Sequence, residues 1–318
     1  MKTFIFIPDT NKKAGLGHLF RCFKYSNFVN QKFKIIFLIN KNFNKKYLIK
    51  KNINNKKIKY IYFSNLRVAL NLIKKKYDYI VTFLDTYNSK IHNIKFKEFS
   101  RKHINILDFK TKCSSNHLID HTFGRKYDYH SNKKILIGVK NFPIYSKIKL
   151  KKRNLILINF GSIKDKYLIK KSLFFIKNLK LDKSYKIVII SNSFNKHDYN
   201  SVNLKNKIYH YKFVNNIEKI YKNTFFTIGA CGISLYEKSF FNIPSISKCV
   251  AINQSYNFKN FLSQKCILDF DKVIKLPLQK SNYRDMFFKE IIKIENNLKK
   301  YFDYKKNKKN LQKLFDKF

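Results

Sequence analysis

Short apolar runs alternate with longer amphipathic stretches along the first half of the chain, which predicts strands separated by helices. The apolar runs lie at residues 4–7, 34–39, 59–63, 79–84, 105–107 and 134–138. One helix is predicted from about residue 17 to residue 30, and another through residues 68–73. The run at 79–84 is of the continuous kind found in a buried parallel strand. The alternation therefore indicates successive βαβ units around a parallel sheet.

The same alternation starts again after a charged stretch at residues 149–153, which predicts a domain boundary. Further strands are predicted at residues 154–160, 185–191, 208–211, 224–228 and 243–246. From about residue 285 the chain predicts a Lys-rich helical tail, which could pack back on the first domain. We therefore expect an α/β fold with two Rossmann-like domains, residues 1–150 and 151–318, that face one another across a cleft.

Composition supports two cores and no metal site. The chain has 318 residues, of which 44% are hydrophobic, enough for a core in each of two domains. No apolar run approaches the roughly 20 residues that span a bilayer, so no integral membrane segment is expected. The five cysteines are scattered without a CxxC pair, which argues against a zinc site or a disulfide framework and favours the cytoplasm. We expect no cofactor.

The net charge of +49 raises the alternative of a non-enzymatic protein that binds nucleic acid. Only six of the 68 basic residues are Arg, the preferred residue for bidentate phosphate and base contacts. The lysines are also spread along the chain rather than gathered in one stripe. We therefore expect no nucleic-acid partner, while the positive field would attract an anionic nucleotide-sugar.

A glycine turn that ends in a histidine follows the first predicted strand and opens a helix. Gly15 and Gly17 are two of only seven glycines, and His18 follows them. Glycine lets backbone approach a ligand, and the N-terminus of a helix attracts anions. Phe20 stands where a dinucleotide fingerprint needs its third glycine. The motif predicts an anion-binding turn that carries a catalytic base; the alternative is a structural turn with a surface histidine.

A second glycine turn, at residues 228–237, also lies between a strand and a helix. The small residues around Gly232 would let backbone N–H groups contact a diphosphate. Glu237 could accept hydrogen bonds from ribose hydroxyls, or be a solvated helix carboxylate. Weaker candidates are the amides at residues 253–254 and the segment 84–87, which ends a buried strand where ligands bind in α/β sheets.

Together these motifs resemble those of the UDP-sugar hydrolases of pseudaminic acid biosynthesis, which release UDP from a diacetamido trideoxy-altropyranose. Residues 14–22 resemble that family's G-x-G-H-x-x-R-C motif. Its I-G-A-x-G-x-S-x-W-E, G-x-P-S-I, N-Q and G-G-S/T segments are similar to residues 228–237, 242–246, 253–254 and 159–162. The resemblance covers most of the chain and implies a GT-B-like fold.

The resemblance implies a role for individual residues. His18 falls on the catalytic histidine, which activates or relays a proton for water. Glu237 falls on the ribose-binding glutamate, Gly232 and Ser234 on the diphosphate turn, and Tyr87 on the tyrosine of a D-H-Y segment. The full set of predicted substrate-binding residues is Asp9, Gly15, Gly17, Arg21, Tyr87, Gly161, Gly229, Gly232, Ser234, Glu237, Asn253 and Gln254.

The chain departs from the family at five positions, on the sugar side of the cleft at least as much as on the nucleotide side. The residues at these positions are Ile7, Thr86, Asn88, Phe160 and Tyr236, where the family has Arg, His, Gly, Gly and Trp. The resemblance thus implies a cytoplasmic hydrolase that releases UDP from a UDP-linked sugar. The alternative is a GT-B-type glycosyltransferase that uses the same UDP-sugar donor with an acceptor hydroxyl in place of water.

Overall fold

The chain forms two compact units, each built on its own parallel sheet. The computed structural model describes residues 2–11, 16–44, 48, 58–92, 94–107, 115, 117–125, 134–144, 151, 153–161, 166–195, 198, 202–275 and 282–318. The first unit comprises Met1–Tyr145 together with Lys305–Phe318, and the second comprises Ser146–Tyr304. The predicted boundary near residue 150 lies close to this division. The division differs from the predicted range 151–318 at the tail, where Lys305–Phe318 belongs to the first unit, as expected if the tail packs back on the first domain.

The first unit contains a seven-stranded sheet in the order β3-β2-β1-β4-β5-β6-β7. The strands, all paired in parallel, are β1 (Lys2–Pro8), β2 (Lys34–Asn40), β3 (Ile58–Phe63), β4 (Tyr79–Asp85), β5 (Lys102–Leu107), β6 (His117–Asp120) and β7 (Lys134–Ile137). The strand order reverses between β1 and β4, where an α/β sheet opens a crevice at its carboxyl edge. The register there pairs Pro8 with Asp85.

Helices cover both faces of this sheet. They are α1 (Gly17–Ser26), α2 (Leu66–Lys74), α3 (Ser89–His92) and the C-terminal α10 (Tyr304–Asp316), with 3₁₀ turns at Phe96–Glu98 and Val139–Asn141. Phe4 and Phe6 of β1 belong to the core cluster that includes residues of α1 and α10. Ile5 and Ile7 belong to the cluster of α2 on the opposite face. This alternation follows from the two-residue period of a strand.

The tail belongs to the first unit because its apolar side chains complete that core. Leu311 and Phe315 are buried with the side chains of β1 and β4. The ring of Phe315 stacks on Phe83, with 5.1 Å between centroids and 3° between planes. The Nδ2 of Asn307 donates to the carbonyl of Phe142 at 2.8 Å. The tail is also two helices rather than one, since α9 ends at Tyr301 and α10 begins at Tyr304.

The second unit contains a six-stranded parallel sheet in the order β10-β9-β8-β11-β12-β13. Its strands are β8 (Leu155–Asn159), β9 (Lys186–Ile190), β10 (Lys207–Tyr211), β11 (Thr224–Ala230), β12 (Ser245–Lys248) and β13 (Leu268–Asp269). Its helices are α4 (Lys166–Asn178), α5 (Glu218–Tyr221), α6 (Ile233–Phe240), α7 (Ser255–Ser263), α8 (Phe270–Lys275) and α9 (Tyr283–Tyr301), with a 3₁₀ turn at Ile252–Gln254. Strand order reverses again, here between β8 and β11.

The predicted α/β class is confirmed, and two strands were missed. β6 has four residues, with His117 and Asp120 at its ends, and β13 has two. Elements this short carry too few residues to show a period of their own, so only pairing with a neighbouring strand reveals them. Of the helices in the described part of the chain, none combines the length and apolar character that crossing a bilayer requires.

Candidate functional site

The carboxyl edge of the first sheet carries a buried ionic cluster around Asp85. This residue ends β4 and is fully buried, and α1 presents His18 and Arg21 to it. Arg21 donates to it twice, from Nε to Oδ2 at 2.7 Å and from Nη2 to Oδ1 at 2.5 Å. Such a paired geometry satisfies both carboxylate oxygens. Burial alone would raise the pKa of Asp85, but Arg21 and His18 outweigh it and hold the pKa well below its usual range.

His18 is oriented by the same carboxylate. Its Nδ1 lies 2.5 Å from Oδ1 of Asp85, and the residue is 2% exposed. An ionised carboxylate only accepts hydrogen bonds, so it holds the proton of the neutral imidazole on Nδ1. That leaves Nε2 as the basic nitrogen, and no hydrogen bond among the described residues uses it. The arrangement is that of a general base with its orienting acid.

Arg21 links this pair to a second buried histidine. Its Nη1 lies 3.3 Å from Nε2 of His121, and its Nη2 lies 3.3 Å from Nδ1 of His18. The guanidinium therefore contacts both histidines as well as Asp85. His121 is fully buried at the end of β6. Neither His121 nor Asp85 was among the predicted binding residues; the position of Asp85 at the end of a buried strand was the one available signal.

Asp9 organises the loop that follows β4. Its Oδ2 accepts hydrogen bonds from the Thr86 hydroxyl at 2.7 Å and from the backbone N–H of Tyr87 at 3.4 Å. Tyr87 then meets His18 edge to face, with 4.3 Å between ring centroids. Thr86, which stands at the family's histidine position, thus helps to place the tyrosine. The structure brings Asp9, His18, Arg21 and Tyr87 together.

The remaining first-unit positions have structural explanations or lie outside the described residues. Gly17 is the first residue of α1, and Gly15 is not among the residues that the structure describes. Ile7 is buried in the core. Asn88 accepts the N–H of Lys90 at 3.0 Å and so begins α3.

The second glycine turn joins β11 to α6 in the second unit. Gly229 pairs with Asn159 of β8, and a Cβ at residue 229 would lie 2.0 Å from the Asn159 carbonyl oxygen. The sheet itself therefore requires glycine there. Gly232 is the N-cap of α6 and has ordinary space around it, the nearest atom to its Cβ position being Nε2 of Gln254 at 3.5 Å. Its backbone is open at the position predicted for a diphosphate.

The side chains predicted to contact a nucleotide lie on one side of α6. Ser234 and Glu237 are three residues apart, so they share a helix face, and both are partly exposed. Gln254 accepts the backbone N–H of Val250 through Oε1 at 3.1 Å, which leaves its Nε2 toward Gly232. Asn253 is exposed beside it. These residues gather at the carboxyl edge of the second sheet.

Two departures in the second unit are core residues. Phe160 is 1% exposed and packs edge to face on Phe270, while Gly161 follows it with a φ of +84°. Tyr236 is 1% exposed and donates its hydroxyl hydrogen bond to Oδ1 of Asn257 at 2.6 Å. Both aromatic side chains point into the protein, so they change the packing beneath the turns rather than their exposed surface.

In the part of the chain that the structure describes, no three His, Cys, Asp or Glu side chains are grouped closely enough to hold a metal ion.

In comparisons with known proteins, no protein-family model matches the sequence, and no curated protein matches it.

The fold, by contrast, is similar to solved structures over its whole length. One is UGT2 of Phytolacca americana, solved with UDP-2fluoro-glucose and pterostilbene, at a TM-score of 0.69 and 8% identity, covering 100% of this chain and 99% of that one. Another is MurG of Acinetobacter baumannii, with a TM-score of 0.69 and 12% identity, and the match covers 100% of both chains. A third is the calicheamicin glycosyltransferase CalG4, with a TM-score of 0.57 and 6% identity. That match covers 99% of this chain and 97% of the other. Identities this low show the fold alone, and the fold is that of the GT-B glycosyltransferases.

Proposed function

We propose that this protein is a glycosyltransferase that takes a sugar from a UDP-sugar donor and that His18 is its general base. The observation that carries the proposal is the buried contact between His18 and Asp85, which holds the proton on Nδ1 and leaves Nε2 to accept one. It lies at the carboxyl edge of a parallel sheet, where the strand order reverses. Solved structures with this fold include one complexed with UDP-2fluoro-glucose.

The reaction needs one proton transfer at His18. The acceptor hydroxyl gives its proton to Nε2 as its oxygen attacks the anomeric carbon, and the bond from that carbon to UDP breaks. Asp85 stabilises the resulting imidazolium. General base catalysis of this kind contributes about 10²- to 10⁴-fold. On the second unit, we infer that Gly232 and Ser234 bind the diphosphate and that Glu237 binds the ribose.

Hydrolysis is the second candidate, and a specific observation favours it. His18, Arg21 and Cys22 are the residues of the motif that resembles the UDP-sugar hydrolases, and all three contact Asp85, the Cys22 thiol at 3.9 Å. In that case water takes the place of the acceptor hydroxyl, and the sugar is a diacetamido trideoxy sugar on the route to pseudaminic acid. The described cysteines are free thiols, which agrees with action in a reducing cytoplasm.

The test is an assay of UDP release from a series of UDP-sugars, with and without phenols and sugars as acceptors. Transfer predicts release that depends on an acceptor, and hydrolysis predicts release without one. In either case His18→Asn should lose at least about 100-fold in kcat. The matched control is His117→Asn, at the opposite, amino edge of the same sheet. A His18→Asn variant as active as the wild type would contradict the role of His18, and no UDP release from any donor would contradict the function.

A further inference from the structure

A lysine that the proposed reaction does not use is buried under the second glycine turn. Lys238 lies on α6 and is 4% exposed. Side chains on a helix point toward its N-terminus. The stem of a lysine, about 6 Å long, spans about one helical turn of 5.4 Å. The ammonium group of Lys238 is therefore carried back toward the residues that open α6.

The electrostatic surroundings of Lys238 indicate the same direction. The groups that act on it are the thiol of Cys231, which belongs to the glycine turn, and the carboxylate of Glu237, its neighbour on α6. In the described part of the chain, no titratable group from the other elements packed on α6 acts on it. Cys231 is fully buried, so the group of the turn that acts on Lys238 lies in the protein interior.

No carboxylate in the described part of the chain forms an ion pair with the ammonium group of Lys238, and Glu237 acts on it only at longer range. No hydrogen bond or ion pair of Nζ occurs among the described residues, although lysine is almost never this buried without a partner. Burial lowers the pKa of Lys238 to about 8, although Cys231 and Glu237 act to raise it. The free protein thus holds a desolvated positive charge on the helix that begins at the turn where the backbone of Gly232 is open.

We propose that Lys238 is a diphosphate-binding residue, which contacts the nucleotide-sugar from beneath the turn at Gly229–Gly232 while the N–H groups that open α6 contact it from the helix side. This inference rests on the proposed function and adds to it the group that neutralises the leaving UDP. An ammonium group is a point charge with three donors, suited to phosphate oxygens. The diphosphate supplies the negative charge that the free protein lacks at this point.

A structural lysine and a ligand-binding lysine behave in opposite ways when replaced. If Lys238 binds diphosphate, Lys238→Met removes an uncompensated buried charge and leaves the free protein as stable as before, or more so. The same change weakens the binding of UDP. A lysine that only supports the fold would instead lose stability on replacement, and UDP binding would be unaffected in the folded fraction.

The experiment measures the binding of UDP and of uridine by calorimetry, together with thermal unfolding. Lys238→Met and Lys238→Gln should each bind UDP about tenfold more weakly or worse, and bind uridine like the wild type. Lys219→Met is the control: it removes the same charge from exposed α5, which precedes the amino end of β11. In the wild type, UDP affinity should fall as the pH rises through about 8, and both Lys238 variants should lack this step.

Each outcome decides between the proposals. If the wild type binds UDP and both Lys238 variants bind it equally well, the role of Lys238 is overturned while the proposed function stands. If UDP and uridine lose affinity equally, the lysine does not contact the diphosphate and the role is overturned as well. If the wild type binds neither UDP nor uridine, the proposed function itself fails, and the role of Lys238 fails with it.

Discussion

At the scale of single residues, Asp85 holds the buried ionic cluster of the first unit together and orients the proposed general base. One carboxylate accepts two hydrogen bonds from Arg21 and orients His18, and all three residues are at most 2% exposed. Replacing one charged member of a buried ionic cluster leaves the other charges without a counter-charge. The site therefore depends on the negative charge of this residue as well as on its shape.

We predict that Asp85→Asn destabilises the first unit by about 3–5 kcal/mol near neutral pH, because Arg21 keeps its charge in a buried place. The folded pKa of Asp85 is depressed from 3.8, so the stability it contributes is present above that value and is lost as the pH falls below it. Measured by urea unfolding, the difference in the free energy of unfolding between the wild type and the variant should become smaller below about pH 4.

The control for this change is Asp182→Asn, a carboxylate of the second unit whose group is exposed. It should leave urea unfolding of the first unit unchanged at every pH. An Asp85→Asn variant with the stability of the wild type at neutral pH would show that Arg21 does not need the carboxylate.

At the scale of elements, the strand-turn-helix from β11 to α6 uses its two glycines for different purposes. Gly229 lets β11 approach the backbone of β8, since any Cβ there meets the Asn159 carbonyl. Gly232 caps α6 with a φ of −92°, which other residues adopt, and its Cβ position has ordinary contacts. Sequence alone treats the two glycines as one motif, whereas the structure shows that the sheet requires Gly229 and leaves Gly232 free for the proposed diphosphate contact.

Alanine at these two positions should therefore separate stability from binding. Gly229→Ala should destabilise the second unit by about 1–3 kcal/mol or more, because backbone must move to admit the Cβ. Gly232→Ala should leave the thermal unfolding midpoint nearly unchanged and weaken UDP binding, since the methyl group occupies the open side of the turn. Equal losses of stability in the two variants would contradict this separation.

At the scale of the whole molecule, the two ends of the chain build one unit. Residues 305–318 return to the sheet formed by the first 145 residues. Phe315 stacks on Phe83 and also contacts Phe4 and Tyr25, with ring centroids 6.3 and 6.2 Å apart. The first unit therefore cannot complete its core until residues 305–318 have been made.

We expect Phe315→Ala to cost about 3–5 kcal/mol, as for other large-to-small changes in a core. The loss should appear in the first unit, although the residue is near the end of the chain. Hydrogen exchange should speed up in β1 and β4 while β8 and β11 keep their protection. Phe174→Ala, at a side chain that is 50% exposed on α4, is the control and should change neither unit appreciably.

The sequence by itself determined most of the local structure and named the candidate residues of the site. Continuous apolar runs predicted most strands, and the glycine turns at Gly17 and Gly232 were predicted to open helices, as α1 and α6 confirm. Strands and helices follow from hydrophobic periods of two and 3.6 residues, and turns follow from the conformational freedom of glycine. Both are set by residues close together in the sequence. The identity of His18 as a candidate base also followed from local context.

Only the tertiary structure decided which residues meet. His18 and Asp85 are 67 positions apart, and they touch because β1 pairs with β4 rather than with the next strand alone. The same holds for His121 beside Arg21 and for α10 in the first core. The physical reason is that strand order and core burial depend on contacts between distant segments, and no local period encodes them.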